Sequence, residues 1–445
     1  MVITAREAAL RALAAWRRDK AWPELALGGI IERFGLPARD AALATRILGG
    51  VLQNMALCDH YITHFSSVEQ KKIEPRILDV LRISVYQLLF LDKVPPSAAV
   101  NEGVALAKKS ANPRAAGFVN AVLRKIAQAA KDGALPDVEG DIVQRLATRY
   151  SHPAWLVREL CGILGPDSAE SLLAANNAPD LPAFAQVNTL LADLDGTLGL
   201  LAADGVEAAR HERLDGCIEL RGARDIARLE AFMKGHIYMQ DAAARIAVLA
   251  AAPAPGNLVI DGCAAPGGKS FAAAIAMGNV GKIIARDISA AKLRRVGEGA
   301  KRLGISIIET IVQDASVPAA GSDGMADVVL ADVPCSGFGV VRKKPEIRYK
   351  TEQETDGLPA IQERILSALS TYVKPGGTLL YSTCTVLRRE NESVVESFLR
   401  GHSQFGPEGF AVPGAGQVSG GMVTLWPHIH GTDGFFICKL RRNGH

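Results

Sequence analysis

The stretch Leu258-Val259-Ile260-Asp261-Gly262-Cys263-Ala264-Ala265-Pro266-Gly267-Gly268-Lys269-Ser270 decides the fold of this chain. An apolar run is followed by glycines that permit a tight turn and let a ligand approach backbone N–H groups. A helix is expected after Lys269. The rhythm then repeats. Ile283-Ile284-Ala285 precedes a helix through Leu293 and Val296, and Ile305 to Val312, Val328-Val329-Leu330 and Leu379-Leu380-Tyr381 continue the series. Alternating strands and helices of this length predict a parallel, doubly wound sheet, a Rossmann-like α/β domain over residues 246–445. Gly401 to Gly421, rich in Gly and Pro, reads as loop.

Upstream the period changes. Residues 1–130 carry helical periodicity almost throughout, with Ala9, Leu10, Leu13 and Trp16 on one stripe and a strongly apolar stretch from Ile77 to Leu89. An all-α domain is expected there. Lys131-Asp132-Gly133-Ala134-Leu135-Pro136 is polar and turn-forming, which predicts a linker over 131–150. Residues 151–245 read as a small α+β module, with strands at 182–188 and Cys217–Leu220.

A chain of 445 residues should hold two or three domains, and 48% hydrophobic with 22% charged residues is a globular profile. The net charge of +3 announces no polyanion partner, so a nucleic-acid surface must come from local basic clusters. The seven cysteines include no C-x-x-C pair, which argues against a zinc ribbon or a disulfide framework. His428 and His430 lack a third ligand at suitable spacing, so no metal is expected. The start carries no signal-peptide pattern and no apolar run reaches spanning length. A cytoplasmic protein with no membrane partner is expected, in a compartment where thiols stay reduced.

The Gly-rich turn is not G-x-G-x-x-G, and Cys263 stands where a P-loop needs Gly. Asp287 ends the second strand, where a carboxylate accepts from ribose hydroxyls, and Asp314 follows the third, placed for an adenine amino group. Ribose, adenine and no phosphate requirement point to S-adenosylmethionine. The alternative is that both carboxylates merely cap the segments that follow them. Two strand-end thiols stand beside this site, Cys335 in Asp332-Val333-Pro334-Cys335-Ser336-Gly337 and Cys384 in Tyr381-Ser382-Thr383-Cys384-Thr385. Each is a candidate nucleophile, although free cysteines are often small core residues. Asp332, three residues before Cys335, is the candidate catalytic carboxylate. The residues themselves leave open which thiol attacks. Arg342, Lys343, Lys344 and Arg348 follow the Cys335 loop and are candidate RNA contacts. Arg294, Arg295, Lys301 and Arg302 read as a solvated helix face.

Cys263 to Lys269, Asp332 to Gly337, Tyr381 to Thr385 and Asn391-Glu392 resemble the signature motifs of the Sun/RsmB-type RNA (cytosine-5)-methyltransferases of bacterial 16S rRNA. Ser97 to Val104 and Gly117 to Arg124 resemble the NusB-type RNA-binding fold. The resemblance spans nearly the whole chain. It implies a NusB-like helical domain, a class I methyltransferase domain, S-adenosylmethionine as cofactor and 16S rRNA as partner. It also implies that Cys263, Ala264, Ala265, Pro266, Gly267, Gly268, Lys269, Asp287, Asp314 and Asp332 contact the cofactor, that Cys384 is the nucleophile, and that Cys335 assists product release. Val333, where Ala is usual, and Pro345 to Tyr349, where Pro-Asp-Ile-Arg-Trp is common, are small departures. Two rival readings are a DNA cytosine-5 methyltransferase, which would use one catalytic cysteine, and a non-catalytic RNA-binding or assembly factor.

Overall fold

The computed structural model describes residues 3–444 apart from 110, 111, 113, 180, 224, 320 and 322. The chain forms two compact units, Met1–Asn177 with Lys344–Lys350, and Ala178–Lys343 with Thr351–His445.

The first unit is helical: α1 (Ala5–Asp19), α2 (Pro23–Phe34), α3 (Ala38–Phe65), α4 (Pro75–Phe90), α5 (Pro96–Lys108), α6 (Ala115–Lys131), α7 (Ile142–Arg149), α8 (Ala154–Leu164) and α9 (Pro166–Asn176). Stripes such as Leu10, Leu13, Ile47, Val51, Leu81, Val119 and Leu123 share one core. Asp79 is fully buried there, between Arg17 at 3.0 Å and Arg82 at 3.2 Å. Burial nevertheless raises its carboxyl above the usual carboxylate range. Helix α3 is long and apolar enough to span a bilayer, unlike the expectation from sequence. Its apolar positions, including Ile47, Val51, Leu52, Cys58 and Ile62, are used in the helical core, and Asn54 kinks it.

The expected linker is partly helix. Asp141 accepts from the N–H of Gln144, and the Gln144 side chain accepts from the N–H of Asp141. This capping box starts α7 in the middle of the predicted connection. Residues 131–177 pack in the same compact unit as the helices before them.

Residues 344–350 also belong to that unit. Arg348 is fully buried, and its guanidinium donates to Gln53 O at 2.9 Å, Tyr150 O at 3.2 Å and Asn177 Oδ1 at 2.8 Å. Burial pushes its pKa down to about 10. Tyr349 donates to Leu52 O at 2.6 Å and packs edge-on against Trp16.

The second unit contains two larger sheets. The smaller is formed by β1 (Ala183–Val187), β2 (Glu207–Arg210), β3 (Cys217–Arg221) and β4 (Ile237–Met239), antiparallel in the order β2-β3-β1-β4. The larger sheet contains β5 (Leu258–Asp261), β6 (Lys282–Asp287), β7 (Ile308–Val312), β8 (Ala326–Asp332), β9 (Val373–Thr383), β10 (Phe405–Pro407), β13 (Met422–Leu425) and β14 (Phe435–Arg442). Its order is β10-β14-β9-β8-β5-β6-β7, with β13 paired to β14, while β11 (Phe410–Val412) and β12 (Gly416–Val418) form a separate hairpin. Strands β5 to β9 are parallel, as the alternation predicts.

The sheet departs from a purely parallel one at β14, which pairs antiparallel with β9. The connection from β9 to β14 includes short strands between 405 and 425, in part of the segment read as loop, instead of a simple helical crossover. Alternate residues of the central strands go to opposite cores. Val259, Val328, Leu330 and Leu380 pack on one face, and Ile260, Val329, Ala331, Leu379 and Tyr381 on the other. That two-sided burial is why these strands read as continuous apolar runs.

Arg348→Ala leaves buried acceptors unpaired and opens a cavity. It should cost the helical unit about 3 kcal/mol, and Arg348→Lys should recover only part, because an ammonium lacks the planar fork. Denaturant melting checks this. Unchanged melting with lost RNA affinity would restore the surface-contact reading of Arg348.

Candidate active site

Successive crossovers run from β5 through β6 to β7 on one side, and from β8 to β9 on the other. The carboxyl ends of β5 and β8 therefore flank a topological switch point, the place where open α/β sheets bind ligands. The Gly-rich turn leaves β5 there. Gly267 has φ +110°, and a Cβ on it would lie 2.5 Å from the Phe271 ring. Both facts demand glycine. Asp261 at the end of β5 is buried and accepts from Ser270 Oγ at 2.7 Å, and burial pushes its carboxyl up to about 6.

Lys269, in the first turn of the helix Gly268–Ala276, reaches Asp332 Oδ2 at 2.6 Å and lies 5.0 Å from the Phe435 ring centre. Asp287 accepts from Ala265 N at 3.3 Å and from Ser289 N at 2.9 Å. It thus ties the turn after β5 to the end of β6. Asp314 accepts from the N–H and the hydroxyl of Ser316, and these bonds hold its exposed carboxyl below the usual range. Both residues make local turns, as the capping alternative foresaw, yet helix Ala290–Arg302 is capped by Ser289 and not by Asp287. Ile288, Val312 and Val317, beside these two carboxylates in sequence, are exposed at 70%, 58% and 57%. Apolar side chains next to carboxylates suit a flat ring bearing polar edges.

Strands β8 and β9 pair in parallel with Asp332 opposite Ser382, whose hydroxyl donates to Asp332 Oδ1 at 2.8 Å. The chain leaves both strands at the same level, and the thiols just beyond meet: Cys335 Sγ and Cys384 Sγ are 3.3 Å apart. One S–H is shared between the two sulfurs. That bond lowers the pKa of Cys384 and, with burial, raises that of Cys335 well above an ordinary thiol. Lys269 also lowers Cys384, while burial, Asp332 and Asp433 oppose the effect. By contrast Cys263 is driven up by burial, with Asp261 and Asp332 adding to the effect.

Polar side chains fix both thiol loops. Ser336 Oγ and Thr385 Oγ1 are 2.8 Å apart. Glu390 accepts from Ser336 N at 2.9 Å and from Gln362 Nε2 at 2.8 Å. Asn391 accepts from Thr383 Oγ1 at 2.6 Å and donates to Thr385 O at 3.1 Å. Asn391 therefore braces the turn that carries Cys384. Among the described residues no cluster of His, Cys, Asp and Glu is arranged to hold a metal ion, and His430 Nδ1 accepts from Trp426 N.

The basic run after Cys335 requires correction. Arg342 is buried and pairs with Asp433 at 2.9 Å, and Lys343 bridges Asp241 at 2.6 Å and Asp433 at 2.8 Å. Arg348 is buried among carbonyl oxygens. These three charges are paired with internal partners, and Arg342 and Arg348 are buried, whereas the Lys343 side chain is half-buried, 32% exposed. Lys344 alone of the four is exposed. The helix face expected to be solvated keeps Arg294, Arg295 and Lys301 exposed, but Arg302 donates to Phe232 O and Ile237 O. Asp261, Asp241, Asp433 and Glu390 were not singled out by sequence reasoning. A carboxylate at the mouth of a Gly turn was a usable signal for Asp261; the others become meaningful only through partners far away in sequence.

Three family models match the chain: 16S rRNA methyltransferase RsmB/F over residues 248–441, the NusB family over 3–128, and the RsmF/B-like ferredoxin-like domain over 152–227. The chain is 35% identical to the probable ribosomal RNA small subunit methyltransferase B of Bacillus subtilis, covering 99% of both proteins. It is 32% identical to the ribosomal RNA small subunit methyltransferase B of Erwinia tasmaniensis, covering 90% of each. Its fold is similar to the crystal structure of PH0851, with a TM-score of 0.80 and 28% identity over 99% of this chain and 100% of the other. With a NusB-like helical domain, a ferredoxin-like module and a Rossmann-like sheet in one chain, this protein belongs to the RsmB/F family of 16S rRNA methyltransferases.

Proposed function

We propose that this protein methylates C5 of a cytidine in 16S rRNA through a transient bond between Cys384 and C6 of the base. The observation that carries this reading is the pair of thiols 3.3 Å apart at the ends of adjacent parallel strands, beside an acidic crevice at the switch point. S-adenosylmethionine fits the donor set. Asp287 and Asp314 accept hydrogen bonds, Ile288, Val312 and Val317 offer an apolar face, and the crevice's lysine, Lys269, is already paired with Asp332. Carboxylates favour a cationic ligand over a phosphate. When bound, this cofactor supplies an electrophilic methyl group. The Cys263 to Lys269 turn, Asp287, Asp314 and Asp332 are the residues proposed to hold it.

C5 of cytosine is a weak nucleophile. The Cys384 thiolate adds to C6, and the electrons of the C5–C6 double bond move into the ring so that C5 becomes enamine-like. Negative charge gained at N3 is met by the Lys269 ammonium, which Asp332 holds at 2.6 Å. After methylation Cys335 relays the C5 proton: it takes that proton on sulfur as its own S–H proton passes to the departing Cys384 sulfur, 3.3 Å away. The electrons of the C5–H bond restore the double bond and expel sulfur from C6. The target base must be unstacked to reach the thiols, which favours looped or single-stranded RNA. The expected compartment is the cytoplasm, where both thiols stay reduced.

Two outcomes test this reading. The thiolate is the reactive form, so iodoacetamide should label Cys384 at lower pH than Cys335, read by peptide mass spectrometry. In Cys384→Ala the bond that raises Cys335 is gone, and labelling of Cys335 should move to lower pH. With 16S rRNA and cofactor, Cys335→Ala should accumulate a covalent protein–RNA adduct. Cys384→Ala should form none and lose at least about 10³-fold in turnover. The opposite adduct pattern would exchange the two roles, and methylation of DNA instead of RNA would overturn the substrate class.

A further inference from the structure

Arg342 and Lys343 belong to a closed set of contacts that meets the Cys384 backbone at one hydrogen bond. Arg342 Nε donates to Asp433 Oδ1 at 2.9 Å, and Lys343 Nζ donates to Asp433 Oδ2 at 2.8 Å and to Asp241 Oδ2 at 2.6 Å. Asp433 N donates to Asp241 Oδ1 at 3.1 Å, and Asp241 caps helix Ala242–Ala251 through Ala243 N. The next residue, Gly434, donates to Gly339 O at 2.8 Å, and Gly339 donates to Cys384 O at 2.9 Å. Gly339 and the Arg342–Lys343 pair lie on one loop, so side chains and backbone grip the Asp433–Gly434 segment from two sides.

The junction has no slack. A Cβ on Gly339 would overlap Gly434 O and lie 2.8 Å from Cys384 O, and one on Gly434 would lie 2.7 Å from Gly339 Cα. Arg342 and Asp433 side chains are 4% and 6% exposed. Taking such charges out of water costs several kcal/mol per ion before pairing offsets it, so a buried ion pair is weak evidence for stability alone. Geometric definition of what it touches is the better account, and it touches the segment hydrogen-bonded to the nucleophile's loop.

We propose that Asp433, held by Arg342 and Lys343, is a positioning residue for Cys384, fixing its backbone through Gly434 and Gly339. This rests on the assignment of Cys384 as nucleophile. The groups acting on that sulfur are Cys335, Asp332, Lys269 and Asp433; those facing Asp433 are Asp241, Lys343 and Arg342. Asp433 opposes formation of the thiolate, so its charge is separable from its grip.

The test is steady-state methylation of a 16S rRNA transcript by the full chain across pH. Asp433→Asn should lower saturated turnover by about tenfold or more, with RNA affinity unchanged, because small displacements of a reacting group are costly. The acid limb of its pH profile should also move to lower pH, since a negative charge near the thiol is removed. Gly339→Ala should lower turnover without moving that limb. Lys343→Met should resemble the loss in Asp433→Asn, and Lys343→Arg should restore most of it. If Asp433→Asn fails to fold, the Lys343 pair decides: equal activity of Met and Arg variants overturns the proposal. An unmoved turnover and limb in folded Asp433→Asn also overturns it. An adduct that persists in Cys384→Ala would instead refute the nucleophile assignment, independently of Asp433.

Discussion

The site depends on the register between β8 and β9. In a parallel pair the residues that leave the sheet do so on the same edge, and pairing of Asp332 with Ser382 makes the two exits level. Three residues on from one and two from the other bring sulfur to sulfur. A one-residue slip would turn alternate side chains to the opposite face. The cores forbid it: Val329, Ala331, Leu379 and Tyr381 fill one face, while Val328, Leu330 and Leu380 fill the other. The chemistry at the strand ends is thus held by hydrophobic packing along their length.

That placement creates an electrostatic problem. Asp261, Asp287, Asp314 and Asp332 gather at the carboxyl edge of the sheet, and Asp433 also bears on Cys384. Such a neighbourhood suits a cationic cofactor and resists formation of a thiolate. The shared S–H bond is the largest influence in the opposite direction, with Lys269 adding to it. In the proposed cycle the group needed for product release therefore also prepares the attacking sulfur. The same contact explains the raised pKa of Cys335, which keeps its proton while Cys384 loses one.

Strand-by-strand periodicity made the parallel core of the sheet legible, and the Gly turn, Asp287, Asp314 and both thiols lie at strand ends as that periodicity requires. Less was legible where meaning depends on distant partners. The Asp141–Gln144 capping box was readable in principle but was masked by the turn-forming residues before it. The antiparallel β14 is separated from the helix Glu392–Gly401 by the short strands β10 to β13, so the strand–helix alternation does not announce it. Arg342, Lys343 and Arg348 looked like surface charge because a basic run is ordinarily solvated. Their partners, Asp433, Asp241 and the carbonyls of Gln53 and Tyr150, stand roughly ninety to three hundred positions away.

Internal commitment of those cations changes the physical basis of RNA recognition. With a net charge of +3 and three arginine or lysine groups paired internally, attraction to the phosphate backbone has fewer contributors than the sequence suggests. Counterion release scales with the number of phosphates neutralised, so the salt dependence of binding should be correspondingly shallow. Exposed cations remain elsewhere, Lys344, Lys108, Arg124, Lys125, Arg294, Arg295 and Lys301 among them, and they are dispersed along the chain and not concentrated in the Cys335 loop. In the proposed reaction, selection of the target would then rest on RNA shape and on unstacking of the reactive base. Unstacking has a free-energy cost that is least for an unpaired nucleotide. A protein with modest attraction for RNA in general would discriminate through that cost, and a rigid thiol loop gives an inserted base a defined place to react.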